Sequence, residues 1–170
     1  VATGRRPATD GVDVPDPLPD WAFLVGDVSG EAPLTHWGKY RARIIGETIA
    51  ARAEDRPEPE EPDVVPVPQV VFTDPQVAWV GQTEAEARES GLDIEVRTAD
   101  YTSAAGAGLL RDGATGKACL VVDRTTGTLA GATFVGPDVA ELLHSATVAI
   151  TGQVPIATLR HAVASYPTAS

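Results

Sequence analysis

A proline-rich acidic segment divides this sequence into two parts. The run AEDRPEPEEPDVVPVP, residues 53–68, is dense in proline and glutamate and shows neither helical nor strand periodicity. Proline stiffness and charge repulsion keep a segment of this composition extended. The sequence therefore predicts a linker at residues 57–65, between a first domain at residues 1–56 and a second domain at residues 66–170.

The composition limits the classes of partner. The 170 residues are 43% hydrophobic, which is enough for a core, and the net charge of −11 argues against nucleic acid or an anionic membrane as a partner. No apolar run is long enough to span a bilayer, and the first residues contain neither the apolar core of a signal peptide nor an initiator Met. We expect a globular cytoplasmic protein whose sequence is cut at both ends.

The first domain is predicted to contain a strand followed by a helix. Trp21–Val25 form an apolar run that ends at Gly26-Asp27, and a strand that ends in this way before a helix is a typical place for a ligand. The helix is predicted from Thr35, acting as the N-cap, to about Arg52. One side of this helix is marked at helical spacing by Trp37, Tyr40, Ile44 and Thr48, and is widened by Ile45 and Ile49.

The second domain is predicted to be an antiparallel meander with helices. Five segments have strand character: QVVFTD, VAWVG, IEVRTADY, KACLVVD and TLAGATFVG. The turn DRTTGT joins the last two as a hairpin, and the Thr83/Glu86 capping box with Gly91 predicts a helix near residues 83–91. A second helix is predicted near residues 137–152, and a helical turn after Pro155. The predicted class is α+β, an antiparallel sheet of four or five strands with flanking helices.

Few side chains have a spacing that identifies chemistry. His36, His144 and His161 lack metal-ligand spacing, so no metal site is expected. The single cysteine, Cys119, cannot form an internal disulfide and lies among apolar neighbours in KACLVVD. A buried structural side chain is favoured there over a reactive thiol, since only Lys117 is an adjacent cation in the sequence.

In combination and order, seven motifs resemble one family: ATGRRP, the run into GD, LTHWGKYRA, VVFTDPQVAWVG, TEAEARESG, GTLAGATFVGPDVAELL and YPTAS. The sequence is similar to the C-terminal part of the FAD-dependent pyridine nucleotide-disulfide oxidoreductases, such as dihydrolipoamide dehydrogenase, glutathione reductase and mercuric reductase. The resemblance covers nearly the whole chain. It implies that residues 1–56 end an α/β FAD-binding domain and that residues 66–170 form the interface domain of a homodimer. The N-terminal FAD and NAD(P) domains of the same chain would be missing.

The resemblance also implies the cofactors, FAD with NAD(P)H as the substrate of the full-length parent, and the residues near them. Asp27, after Gly26, matches the aspartate that hydrogen-bonds the ribityl chain of FAD; its alternative is a turn cap. Leu34, Thr35 and His36 match the helix start beside the flavin pyrimidine ring, where the positive helix end stabilises negative charge on the reduced ring. Thr35 could also be simply an N-cap.

A last implied site lies at residues 166–168. The family has His-Pro-Thr followed by Glu, in which the His is the acid–base catalyst; here Pro167 and Thr168 match, Tyr166 occupies the His position, and the sequence stops at Ser170 before the Glu. Imidazole has an ordinary pKa of about 6.5 and exchanges protons near neutrality, whereas a phenol has a pKa of about 10. Tyr166 could alternatively be an aromatic anchor of the dimer interface. His161 does not align with the catalytic position.

These observations leave two classes of function. The first is a homodimeric FAD-dependent NAD(P)H oxidoreductase with an altered acceptor half-reaction, whose acceptor is a quinone, as in a quinone reductase or diaphorase, another small oxidant, or a metal ion, as in the mercuric reductases. The second is a non-catalytic dimerisation module. The isolated 170 residues are not expected to be active, because the start of the flavin fold and the redox cysteine pair are absent from the sequence.

Overall fold

The computed structural model describes Gly4 and residues 6–170, so the motif ATGRRP lies partly outside the described residues. The chain forms two compact units, and the boundary between them in the sequence falls between Asp63 and Val64. Among the described residues, no helix is both long and apolar enough to cross a bilayer.

One long helix dominates the first unit. Helix α1, Thr35–Ala53, buries Ile44, Thr48 and Ala51, and ends one residue beyond the predicted Arg52. After α1, ion pairs join the proline-rich segment to the helix: Arg52 Nε lies 2.8 Å from Glu58 Oε1, and Arg41 contacts Glu61. Exposed pairs of this kind contribute little stability.

The strand predicted at residues 21–25 is absent. Those residues have no strand pairing in the described chain, Trp21 is 80% exposed, and the Ala22 N–H donates to the Pro19 carbonyl in a turn. A strand is stable only when its backbone groups bond to those of a neighbouring strand. The apolar pattern was correct for a strand, but the described residues provide no partner.

The second unit contains a five-stranded, fully antiparallel sheet, which confirms the predicted α+β class. The strand order is β1-β2-β5-β4-β3, so the meander covers the last three strands, and β2 pairs with β5. In the β4–β5 hairpin the Asp123 carboxylate accepts the Thr125 N–H and the Thr126 hydroxyl, which lowers the pKa of Asp123. The strands are β1 Gln69–Val71, β2 Gln76–Gly81, β3 Ile94–Asp100, β4 Lys117–Asp123 and β5 Thr128–Gly136.

Four helices accompany this sheet: α2 Glu84–Glu89, α3 Ala107–Leu110, α4 Val139–Thr151 and α5 Ile156–Leu159. The capping box of α2 is confirmed, since the Thr83 N–H donates to Glu86 Oε2 at 2.8 Å. Hydrogen bonds from Thr83 lower the pKa of Glu86. Helix α4 begins two residues after the predicted Pro137, because Asp138 has a left-handed φ of 54°. Helix α3 was not predicted.

The sheet has one covered face and one partly open face. Strand alternation places Ala78, Val80 and Ala132 on one face, where Leu143 and Ala146 of α4 pack over them. On the opposite face α2 packs only at one end, through Ala87 against Ile94 and Val121. The rest of that face, here called the open sheet face, carries the half-buried side chains of Trp79, Cys119 and Thr133. Cys119 is therefore less buried than predicted.

Candidate functional site

The start of α1 brings together five of the predicted site residues. Gly26 has a φ of +78°, in the left-handed region that favours glycine. A Cβ on Gly38 would lie only 3.3 Å from the Gly26 Cα, so the turn Gly26–Ser29 packs directly against the first turn of α1. This close approach places Asp27 beside the helix start, in the same unit as Leu34, Thr35 and His36.

The Asp27 carboxylate is exposed at the outside of this turn. The turn is closed by other groups: the Ser29 hydroxyl donates to the Gly26 carbonyl at 2.9 Å, and the Gly30 N–H donates to the Asp27 main-chain carbonyl at 3.2 Å. In the described part of the chain, the Asp27 side chain therefore does not act as the cap of its own turn. Its oxygens face outward as hydrogen-bond acceptors.

The N-terminus of α1 is not capped by a side chain. The N-cap is Leu34, in extended conformation with no side-chain bond, so the predicted N-cap Thr35 is instead the first helical residue. The first turn contains no acidic residue, and the side chains of Thr35 and His36 are exposed. The positive end of the helix dipole is thus not balanced by a carboxylate of its own first turn, which suits a carbonyl or anionic edge of a ligand.

A glutamate that sequence reasoning missed holds the loop before α1. Trp37 Nε1 donates to Glu31 Oε2 at 2.8 Å, and Arg41 Nε lies 3.5 Å from the same oxygen. Trp37 also stacks on Tyr40, with 5.3 Å between ring centroids. A contact between a loop residue and two helix positions leaves no periodic signal in the sequence, which is why it was not predicted.

Tyr166 lies in the second unit, on an anchored turn. The Thr168 hydroxyl donates to the Ser165 carbonyl at 2.5 Å, and the Thr168 carbonyl accepts the Gly106 N–H at 3.0 Å. Ala169 packs against the core under α4, whereas the Tyr166 side chain is 86% exposed. His161 follows α5 and lies outside this turn. The Tyr166 ring is therefore exposed on a turn whose backbone is held by hydrogen bonds.

A bidentate ion pair, also missed from the sequence, lies at the end of α3. Arg111 Nη2 lies 2.9 Å from Asp74 Oδ2, and a second contact joins Arg111 Nη1 to Asp74 Oδ1. The guanidinium holds the pKa of Asp74 below its ordinary value. The pair ties the end of α3 to the β1–β2 turn. Within the residues described, no group of three or more His, Cys, Asp or Glu side chains could hold a metal ion.

The architecture of the second unit is that of a dimerisation domain of flavoprotein disulfide reductases. The family described as "Pyridine nucleotide-disulphide oxidoreductase, dimerisation domain" matches residues 67–170. The chain belongs to the pyridine nucleotide-disulphide oxidoreductase family, whose members are flavoprotein oxidoreductases.

Individual relatives cover both units. The dihydrolipoyl dehydrogenase of Bacillus subtilis is 29% identical over 99% of this chain and 38% of its own length. The mycothione reductase of Mycobacterium tuberculosis is 34% identical over 85% of this chain and 35% of its own length. Among solved structures, the HOCl-induced flavoprotein disulfide reductase of Escherichia coli superposes with a TM-score of 0.73 and 28% identity, covering 85% of this chain and 32% of that one. The chain thus spans about a third of the length of these relatives.

Proposed function

We propose that this chain is the C-terminal part of a homodimeric, cytoplasmic, FAD-dependent NAD(P)H oxidoreductase whose acceptor half-reaction differs from dithiol–disulfide exchange. The observation that carries the proposal is the anchored, exposed Tyr166 before Pro167 and Thr168, at the position where the family motif has its acid–base histidine. The test is to compare dithiol and quinone turnover by the full-length enzyme and its Tyr166 variants.

The residues at the start of α1 would hold the flavin. FAD, when bound, accepts a hydride from NAD(P)H and passes electrons to the acceptor. The exposed Asp27 carboxylate would accept hydrogen bonds from ribityl hydroxyls, and the uncapped N-terminus of α1 would stabilise negative charge at the pyrimidine edge. Leu34, Thr35 and His36 would line that edge.

The identity of residue 166 would decide which acceptors are reduced quickly. A dithiol must lose protons as it is oxidised, and a phenol is a poor base at neutral pH compared with an imidazole. A quinone or another small oxidant needs no base of this kind at residue 166. A structure of the E. coli relative is a Cu(II) complex, which keeps a metal ion among the candidate acceptors.

A second candidate, a non-catalytic dimerisation module, is favoured by the open sheet face. Trp79, Cys119 and Thr133 carry no charge, and such a face is expected to be covered in the assembled protein. The two candidates differ in whether residues 26–36 bind a flavin.

We expect the isolated 170 residues to bind FAD weakly or not at all. The sequence contains no G-x-G-x-x-G segment, and most of the affinity for a dinucleotide comes from the pyrophosphate at such a helix start. Flavin absorbance after purification and titration of the apo chain with FAD measure this. A yellow chain with stoichiometric flavin would contradict the expectation.

We expect the full-length protein to be a homodimer related by a two-fold axis. A sheet face that is open in one subunit is stabilised when a second copy or a neighbouring domain covers it. Sedimentation velocity over a wide range of concentrations measures the mass. A strict monomer at the highest concentration would remove the dimer from the proposal.

A further inference from the structure

Gly106 is a buried glycine whose backbone does not require glycine. Its φ of −68° and ψ of −22° are ordinary helical values, which residues with side chains adopt without strain. The reason for glycine is space: a Cβ built there would lie 2.2 Å from the Thr168 carbonyl carbon and 2.5 Å from the Thr168 Cα. Because both neighbours are backbone atoms, no side-chain rotation can relieve this overlap.

The same contact fixes the turn that carries Tyr166. The Gly106 N–H donates to the Thr168 carbonyl at 3.0 Å, and the next residue, Ala169, packs against the core under α4. Within the turn, the Thr168 hydroxyl bonds to the Ser165 carbonyl. In the described residues, no hydrogen bond is made by the Tyr166 hydroxyl, so the ring is placed by its backbone alone.

We propose that Gly106 is a positioning residue for Tyr166. The Gly106 Cα, which carries no side chain, and the Gly106 N–H contact the backbone of Thr168, and this contact holds the Tyr166–Pro167 turn so that the side chain of residue 166 keeps a defined position. The inference rests on the proposed function for the role of Tyr166, but the Gly106–Thr168 contact is independent of it. A methyl group at residue 106 displaces the turn while leaving α3 intact.

The test compares Gly106→Ala with Gly108→Ala in the full-length protein. Gly108 is the matched control, because it lies two residues further on in α3, is exposed, and its Cβ would have no atom within 4 Å. The amide of residue 106, which donates to the Thr168 carbonyl, is expected to lose about tenfold in protection from hydrogen exchange in Gly106→Ala and none in Gly108→Ala, since this bond is broken only in the first.

Kinetics then separate positioning from general structure. In the Tyr166→His enzyme, where residue 166 is expected to act on the dithiol, adding Gly106→Ala is expected to lower kcat for the dithiol by about 10- to 100-fold, as misplacement of an active-site group does. The single-turnover rate of flavin reduction by NAD(P)H and the KM for NAD(P)H should stay unchanged, because that half-reaction does not involve residue 166. Loss of both half-reactions together would indicate a structural defect and would overturn the positioning role.

Ala169→Gly covers the case in which Gly106→Ala does not fold. This substitution creates no overlap and removes a methyl group from the core contact, so it should raise exchange of the Gly106 amide by a smaller factor. Unchanged exchange in whichever of the two variants folds would overturn the inference. Tyr166→His distinguishes it from the proposed function: dithiol turnover unchanged by that substitution alone would refute the acid–base role of position 166, whereas faster exchange of the residue 106 amide in Gly106→Ala would still support the contact.

Discussion

Replacing Tyr166 with histidine in the full-length enzyme is expected to raise dithiol turnover by about 10²–10⁴-fold, the range over which a positioned general base acts. The expectation applies when the full-length chain carries the redox cysteine pair and the glutamate that follows the family motif, because that carboxylate orients the imidazole. The wild-type enzyme should already reduce quinones readily, since hydride transfer from NAD(P)H to the flavin needs no base at residue 166.

The structure makes this substitution a clean test. Tyr166 is 86% exposed in the single chain, so histidine at this position disturbs no core packing in the subunit. The anchoring bonds of the turn involve Ser165, Thr168 and Gly106, and none of them uses the side chain of residue 166. Tyr166→His therefore changes the chemistry at the tip of the turn and leaves the backbone in place.

Tyr166→Phe is the matched control. It keeps the aromatic ring and removes the hydroxyl, so it should leave dithiol turnover slow and alter quinone reduction only if the hydroxyl contacts the acceptor. Steady-state rates with dihydrolipoamide and with a quinone, in the three proteins, measure the effect. Wild-type dithiol turnover as fast as quinone reduction, and unchanged by both substitutions, would show that residue 166 is an interface anchor and not an altered acid–base position.

Tyr101→Ala is expected to lower the free energy of unfolding by about 3–5 kcal/mol, as truncation of a buried aromatic ring does. Tyr101 is 4% exposed in the core under α4, and its ring lies within 2.9 Å of where a Cβ on Gly136 would be. Its hydroxyl donates to the Pro137 carbonyl at 2.7 Å. The ring therefore joins the end of β3 to the start of α4, and its loss leaves a cavity and an unsatisfied carbonyl.

Urea denaturation of the 170-residue chain, followed by circular dichroism, measures this loss. Tyr101→Phe is the control, because it keeps the ring and removes one hydrogen bond, at a cost of about 1 kcal/mol. An alanine variant that is no less stable than the phenylalanine variant would show that the ring does not contribute to the core.

The pH dependence provides a second comparison of the same proteins. Burial raises the pKa of Tyr101 in the folded chain, so the unfolded chain loses this proton at a lower pH than the folded chain does. The contribution to stability is therefore complete below the ordinary tyrosine pKa of about 10 and is lost as pH rises through the higher folded value. The loss of stability between about pH 8 and about pH 11 should be smaller in Tyr101→Phe than in the wild type.

Local features of this chain could be predicted from the sequence because they depend on neighbouring residues. The Thr83/Glu86 capping box, Gly91 after α2, and the Asp123 turn of the β4–β5 hairpin each involve groups a few positions apart. The five strand patterns were recognisable for the same reason. The family motifs were equally readable, since each is a short run of residues in a fixed order.

Local pattern was insufficient where pairing decides the structure. Trp21–Val25 have the composition of a strand but form none, because a strand needs a partner and the described residues offer none at that place. Thr35 has the preferred type for an N-cap, but the chain enters the helix one residue earlier, with Leu34 in extended conformation. In both cases the neighbouring backbone, and not the side chain, set the outcome.

The sequence by itself determined the family and the antiparallel α+β class. Only the tertiary structure decided that β2 lies beside β5, that Arg111 pairs with Asp74, and that the Gly106 N–H donates to the Thr168 carbonyl. These contacts join residues far apart in the chain, and such contacts form only when the whole unit closes around its core. The position of the Tyr166 ring is therefore a property of the folded unit, whereas its identity as a phenol is a property of the sequence.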